Sequence, residues 1–398
     1  MKKNRLTAMV LAGILMVSMA GCAGEKNTAA DDAAAAQGSQ TETRDGTVSK
    51  ILWEFAGDLA PQEGMKTNKG TAGMLSGISN GYVVVGGGAN FPEDGPALGG
   101  AKKSYPDIYV LKQEDGQLVE VNHTTLDHEI SYGVSITTDD GIYYVGGSTA
   151  EGKGNQVLLV KADDAGEITV DTVGELPFTF SDGFAALKDQ VLYVGAGKMD
   201  GQATNRVVSL DLKTKKTTEL AAMPNEATRT QCVSQLLGDS IYVFSGGDQV
   251  AYTDGYRYSI EENKWEQVSD VQIGNEKISL LGANSVKLNE HSMLVVGGFN
   301  KEVYDNAVAQ MAELKDEALQ QFKLNYFGAD PSELQWNRKV LVYDADADTW
   351  TSIGEVPFDA PCGEALLLDG DRIYSINGEI KPGTRTKHMY SDILQMEE

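Results

Sequence analysis

The sequence predicts an all-β protein, a six-bladed β-propeller closed by a strand from its N-terminal side, with one helical insertion in the fifth blade. Three observations point there. Apolar strands that end in glycine recur six times along the 398-residue chain. A polar turn and a further strand accompany each of them at regular offsets. Past the last glycine strand too little chain remains for a four-stranded unit, while an unpartnered strand stands before the first.

The glycine strands are Tyr82–Gly87 (YVVVGG), Ile142–Gly147 (IYYVGG), Val191–Gly195 (VLYVG), Ile241–Gly247 (IYVFSGG), Met293–Gly298 (MLVVGG) and Ile373–Gly378 (IYSING). Their period is roughly 50 residues, stretched by insertions after the first and fifth copies. Third strands follow, such as DIYVL at Asp107–Leu111 and VLVYD at Val340–Asp344, and fourth strands carry Trp265 and Trp350. Four antiparallel strands per repeat, with paired glycines ending the second, describe a kelch blade. The glycines let the chain leave where neighbouring blades crowd, and the outer aromatics fill the wider gaps. In the sixth copy only Met389–Leu394 can follow as a third strand. Lys50–Phe55, which carries Trp53, is expected to supply the outermost strand and remove the free edge.

In the fifth repeat, Val308, Met311, Leu314, Leu319 and Phe322 recur at helical spacing. One amphipathic helix over about residues 302–327 is expected there, as a cap on one face of the ring or as a wall of the site.

The chain before the repeats has a different character. Lys2, Lys3 and Arg5 precede Leu6–Ala20, an apolar run too short to span a bilayer well. It ends in Met19-Ala-Gly-Cys22, which resembles a bacterial lipoprotein signal, so residues 1–22 read as a signal with Cys22 as the lipid-modified residue. A plain secretory signal cut elsewhere is the alternative. Residues 23–48 contain almost nothing apolar and read as a flexible tether spanning roughly 25 to 30 Å. The propeller then occupies 49–398, and the protein is expected to be exported and lipid-anchored to the bacterial cell membrane, at its outer face or in the periplasm. A net charge of −25 argues against nucleic acid and anionic membrane surfaces as partners, leaving the lipid as the membrane contact. Cys232 and Cys362 fall in non-adjacent blades and are expected as buried, unpaired thiols.

Strand order places the loop after each second strand and the lead-in to each first strand on one face. That face holds the long loops Asn90–Tyr105, Lys198–Asn205 and Glu379–Arg385, together with the helical insertion. The site is therefore expected at this mouth of the channel. Glu379 and Arg385 share one loop shaped by Pro382-Gly383, where a carboxylate can take a proton from a hydroxyl while a guanidinium grips an anion. An ordinary polar turn is the competing reading. Arg229, Lys102, Lys103, Lys381 and Arg338 add positive charge on the same face, with Arg229 and Arg385 flanking the mouth. Tyr105 and Tyr132 offer hydroxyls or a stacking surface, or else pack at blade junctions. The four histidines lack the tyrosine and cysteine partners of a copper site, and no phosphate-cradling loop, HExxH or GxSxG pattern is present.

Together these residues resemble the cyclically permuted mutarotase family of kelch propellers, relatives of the N-acetylneuraminate epimerases. The likeness is carried by GGGANFPEDGPALGGAKKSYPDIYVL (Gly86–Leu111), SYGVS (Ser131–Ser135), WNRKVLVYD (Trp336–Asp344) and GEIKPGTRT (Gly378–Thr386). The resemblance implies Glu379 as the proton acceptor, Arg385 as the holder of a substrate carboxylate and Arg229 as a further ligand; their place on the same face adds Lys103, Tyr105 and Tyr132 as candidate substrate-binding residues. Where the epimerases tend to place a histidine leading into the fifth blade, this chain has Asn284. The implied activity is interconversion of the α and β anomers of N-acetylneuraminate, or a related acidic sugar, by acid–base ring opening. That is isomerase chemistry with no metal or cofactor, in a pathway shared with a sialidase or an uptake system. The other reading is a non-catalytic kelch module at the cell surface that binds glycan or protein.

Overall fold

The computed structural model describes residues 47–149, 152–224 and 228–397. The signal, Cys22 and all but the end of the tether lie outside the described residues. Six four-stranded antiparallel sheets follow one another along the chain. Their first strands are Ala72–Ser79, Val134–Thr138, Phe184–Lys188, Val233–Leu237, Asn284–Lys287 and Ala365–Asp369. Each touches the next, and the last touches the first, so the sheets stand in a closed ring consistent with a propeller.

A circuit of backbone hydrogen bonds fixes that ring at one mouth. At or just before the start of each first strand lies a residue with left-handed φ: Gly73, Tyr132, Asp182, Gln231, Gly282 and Gly363. The N–H of each donates to the carbonyl of its predecessor around the ring, at 2.7–3.0 Å, and Gly73 closes the circuit on Gly363. Side chains therefore occupy one arc of the circuit, at Tyr132, Asp182 and Gln231, and glycine occupies the other. At Gly73 the bare position is required, because a Cβ there would lie 2.5 Å from the ring of Tyr132.

The expected closing strand is present, shifted toward the C-terminus. Glu54–Asp58, rather than Lys50–Phe55, pairs with His388–Ile393 and completes the sixth sheet. Trp53 lies just ahead of it, buried edge-on to Phe358 at 5.7 Å. Asp392 accepts from the N–H of Leu52 at 2.7 Å and holds that segment off the sheet edge. Val48–Lys50 forms its own short pair with Gln395–Met396, so the ordered fold includes Val48.

The insertion differs more. It holds three helices, α1 (Lys301–Glu313), α2 (Asp316–Gly328) and α3 (Pro331–Leu334), in place of one. Asn300 caps α1 by accepting from the N–H of Val303, and the chain turns extended at Leu314 and Lys315 before α2 begins. Ala307, Val308 and Met311 of α1 are buried, whereas no residue of α2 is. The spacing of apolar residues runs through both helices, so periodicity alone did not reveal the break. From α2, Gln320 donates to the carbonyl of Ala97 at 2.9 Å, tying the insertion to the loop after the first glycine strand.

Hydrophobic clusters fill the gaps between neighbouring sheets. Trp350 of the fifth sheet lies 4.9 Å from Phe244 of the fourth and 5.0 Å from Tyr343, where the repeat placed its outer aromatics. Cys362 is buried and Cys232 only partly so, and both are free thiols.

Candidate active site

A cavity of about 1980 Å³ runs along the ring axis and opens among the long loops. Glu379–Lys381 and Thr384–Arg385 form a small hairpin at its wall, turning at Gly383 with φ 80°. The N–H of Gly383 donates to Glu379 Oε1 at 2.6 Å, which holds the carboxylate back over its own turn. A Cβ on Gly383 would meet Pro96 at 2.6 Å, so the hairpin packs directly on the Phe91–Lys103 loop. Lys381 reaches the carbonyl of Ala329 behind α2. Two sequence-distant segments thus fix the shape of a loop only a few residues long.

Arg385 Nη1 stands 3.3 Å from Glu379 Oε1. The arginine side chain is 2 % exposed and that of Glu379 18 %, so the carboxylate faces the cavity from a buried cation. Nη2 donates to the Tyr132 hydroxyl at 3.5 Å, and the guanidinium stacks over Phe91. Nε and Nη1 make no hydrogen bond. Burial opposes the charge of Arg385, but Glu379 and Tyr132 outweigh it and hold its pKa above the ordinary arginine value. Lys102 approaches the same phenol, its Nζ 3.3 Å from the Tyr132 oxygen and 4.6 Å above the ring centre. A carboxylate able to accept a proton and two cations gathered on one tyrosine therefore share one wall.

Of the residues singled out from sequence, Glu379, Arg385, Tyr132, Lys102 and Lys103 line this cavity, while Arg229, Tyr105, Lys381 and Arg338 do not. Arg229 is 1 % exposed and squares up to Asp254, with Nη1 and Nη2 at 2.8 and 3.0 Å from its two carboxylate oxygens. It also donates to the carbonyl of Ser245 and lies between the rings of Tyr252 and Tyr256. Burial works against its charge, yet Asp254 keeps its pKa above the usual value. The Tyr105 hydroxyl donates to Asn90 Oδ1 inside the first sheet, and burial pushes its pKa up. Lys103 lies across the Tyr105 ring at 5.1 Å, its amine toward the opening.

The sequence reading passed over one acid. Glu364 follows Gly363 of the backbone circuit and directly precedes the first strand of the sixth sheet. It is 4 % exposed and contributes to the cavity wall. Asn284 Nδ2 donates to its backbone carbonyl at 2.7 Å and reaches Oε2 at 3.3 Å, while Oε1 has no hydrogen-bond partner. Burial pushes its pKa up to about 8. The available signal was Asn284 itself, the position at which this chain departs from the pattern it otherwise resembles. Tyr326 and Phe327 of α2 also line the cavity, and burial raises the Tyr326 pKa.

Comparison with known proteins bears on this geometry. Over residues 34–170 and 173–398 the chain matches the N-acetylneuraminate epimerase family. The N-acetylneuraminate epimerase of Salmonella typhi is 31 % identical over 229 residues, which are 55 % of this chain and 57 % of that one. That of Vibrio cholerae is 28 % identical over 224 residues, 53 % and 56 % of the two chains. The chain therefore aligns with little more than half the length of these curated relatives. A solved structure described as "Structure of YjhT" has a TM-score of 0.50 at 26 % identity, covering 57 % of this chain and 66 % of that one. The matched family and relatives bear the name of an epimerase, a kind of isomerase, and this chain belongs to the N-acetylneuraminate epimerase family.

Proposed function

We propose that the protein is a sialic acid mutarotase, interconverting the α and β anomers of N-acetylneuraminate or a related acidic sugar on a six-bladed kelch propeller. Glu379 takes the proton of the anomeric hydroxyl. The bond between the anomeric carbon and the ring oxygen breaks, the ring oxygen gains a proton, and the open ketone recloses from its other face. Arg385 holds the sugar carboxylate, with Lys102 and Lys103 adding charge at the opening and Tyr132 orienting the guanidinium. Modest acid–base help suffices for a reaction that already runs unaided in water. The observation that carries this reading is the Glu379–Arg385 pair at 3.3 Å, with two guanidinium nitrogens lacking a hydrogen bond. A buried donor without a partner costs about 1–3 kcal/mol, which a bound carboxylate would offset.

Export and lipid attachment through Cys22 complete the proposal. They would place the enzyme where a glycosidase releases one anomer and uptake follows. Proton NMR of freshly released α-sialic acid tests the activity. The protein is expected to accelerate the approach to anomeric equilibrium, and Glu379→Gln to lower that acceleration about 10²–10⁴-fold while still binding the sugar. Saturable binding with no acceleration by the unaltered protein would instead make it a glycan-binding module.

A further inference from the structure

Ring opening needs two proton transfers in opposite senses, and Glu379 accounts for one. The other must deliver a proton to the ring oxygen and later take it back. Solvent could do this, but the wall of the cavity holds a better-placed group.

Glu364 is bound to the Glu379 hairpin through the backbone. Two residues before it, Cys362 exchanges both backbone hydrogen bonds with Glu379, each at 2.8 Å. A Cβ built on Gly378, the neighbour of Glu379, would lie 2.9 Å from the Cβ of Glu364. The two acids thus leave adjoining backbone on the same rim. Their surroundings differ. Glu379 faces a guanidinium, whereas no ion pair reaches Glu364 among the described residues. Around Glu364 stand the neutral amide of Asn284 from the fifth sheet, the buried thiol of Cys362 on its own segment and Glu379 across the hairpin. The thiol is itself pushed well up in pKa, by burial first and by Glu364 and Glu379 besides, and is neutral near pH 7. Only its own backbone N–H and the Asn284 amide favour a negative charge on Glu364, burial outweighs both, and Oε1 is left without a hydrogen bond.

We propose that Glu364 is the second proton-transfer group of the site, a neutral acid that protonates the ring oxygen as the ring opens. The proposal rests on the mutarotase reading. As the C–O bond breaks, its electron pair stays on the ring oxygen, which receives the Glu364 proton, while Glu379 takes the proton of the anomeric hydroxyl. On reclosure Glu364 recovers its proton from that hydroxyl and Glu379 returns its own to the former carbonyl oxygen. Both acids end as they began. The separation of roles follows from environment: Glu379 stands 3.3 Å from a guanidinium, whereas burial in the Asn284 pocket favours the acid form of Glu364.

The test is anomer exchange measured by NMR from pH 6 to 10, with the uncatalysed rate subtracted. For the unaltered protein, kcat is expected to fall as pH rises through about 8. Glu364→Gln should lower kcat about 10²-fold, leave KM within a factor of two and abolish that alkaline limb. Asn284→Ala removes the side-chain donor to the Glu364 carboxylate and should move the limb to higher pH. Thermal unfolding shows whether each variant is folded. A Glu364→Gln protein with kcat within threefold of the parent, or one that keeps the limb, overturns the proposal and leaves the mutarotase reading standing. A rise in KM with kcat unchanged overturns it too, since Glu364 would then only help to bind the sugar. If the unaltered protein gives no acceleration, both readings fall together.

Discussion

The seats of Arg229 and Arg385 look alike until their donors are counted. Each guanidinium is buried, each stacks on an aromatic ring, and each has a carboxylate nearby. Around Arg229 that carboxylate is bidentate and a backbone carbonyl takes a third bond, leaving Nε alone without one. Around Arg385 it is offset, turned back over its hairpin by Gly383, and two nitrogens remain without a hydrogen bond. One cation has both terminal nitrogens hydrogen-bonded inside the fold. The other keeps a terminal nitrogen for the carboxylate proposed as its ligand. Both are buried and charged, so the pairing of individual donors is what distinguishes Arg229 from the arginine proposed to hold the ligand.

Alanine at each seat should break the likeness most widely. Arg229→Ala strips Asp254 of its partner and should destabilise the fold by about 3–5 kcal/mol, read from denaturant midpoints, while kcat per folded molecule holds. Arg385→Ala should do the reverse, cutting kcat/KM about 10²–10³-fold with the unfolding midpoint steady or raised. A loss of stability at Arg385 equal to that at Arg229 would erase the distinction.

Glu364 sharpens the same point through pH. Its proton is held more tightly in the fold, at about 8, than in the unfolded chain, at 4.5. Stability from this group is therefore complete below about 4.5 and is lost progressively as pH climbs to about 8, at about 1.4 kcal/mol per unit of difference. Glu364→Gln has no such loss. Its unfolding midpoint should gain on the parent across that window and keep a constant lead above it. The smallest effect is expected at Tyr132→Phe, which removes the oxygen shared by Arg385 and Lys102. About 1 kcal/mol, or roughly fivefold in KM, should be lost with kcat nearly unchanged.

What the sequence revealed and what it hid follow from the range of the forces involved. The ring was legible because the turn after each second strand puts two successive residues at left-handed φ, and the second is glycine in every copy, from Gly88 to Gly378. Even where the first is Ala196, Ser245 or Asn377, the pattern survives. The Glu379–Arg385 pair was legible because both sit on one loop. Arg229 was read as facing the mouth because its carboxylate partner is Asp254, just ahead of the strand Gly255–Ser259, which the local pattern does not connect to it. Glu364 reads locally as a surface acid before a strand, and only Asn284, 80 positions away, reveals it as buried. The break between α1 and α2 was invisible for a similar reason, since the apolar spacing continues straight across it.

The backbone circuit at the mouth has a consequence for the ligand. Three adjoining members, Gly282, Gly363 and Gly73, project nothing toward the axis, and they border the very arc where Glu364 and Arg385 stand. A catalyst that turns one anomer into the other must hold two molecules of different outline with the same grip. For the proposed mutarotase, the glycine arc adds no side chain of its own beside Glu364 and Arg385, while Tyr132, Asp182 and Gln231 of the other arc contribute theirs to the cavity wall.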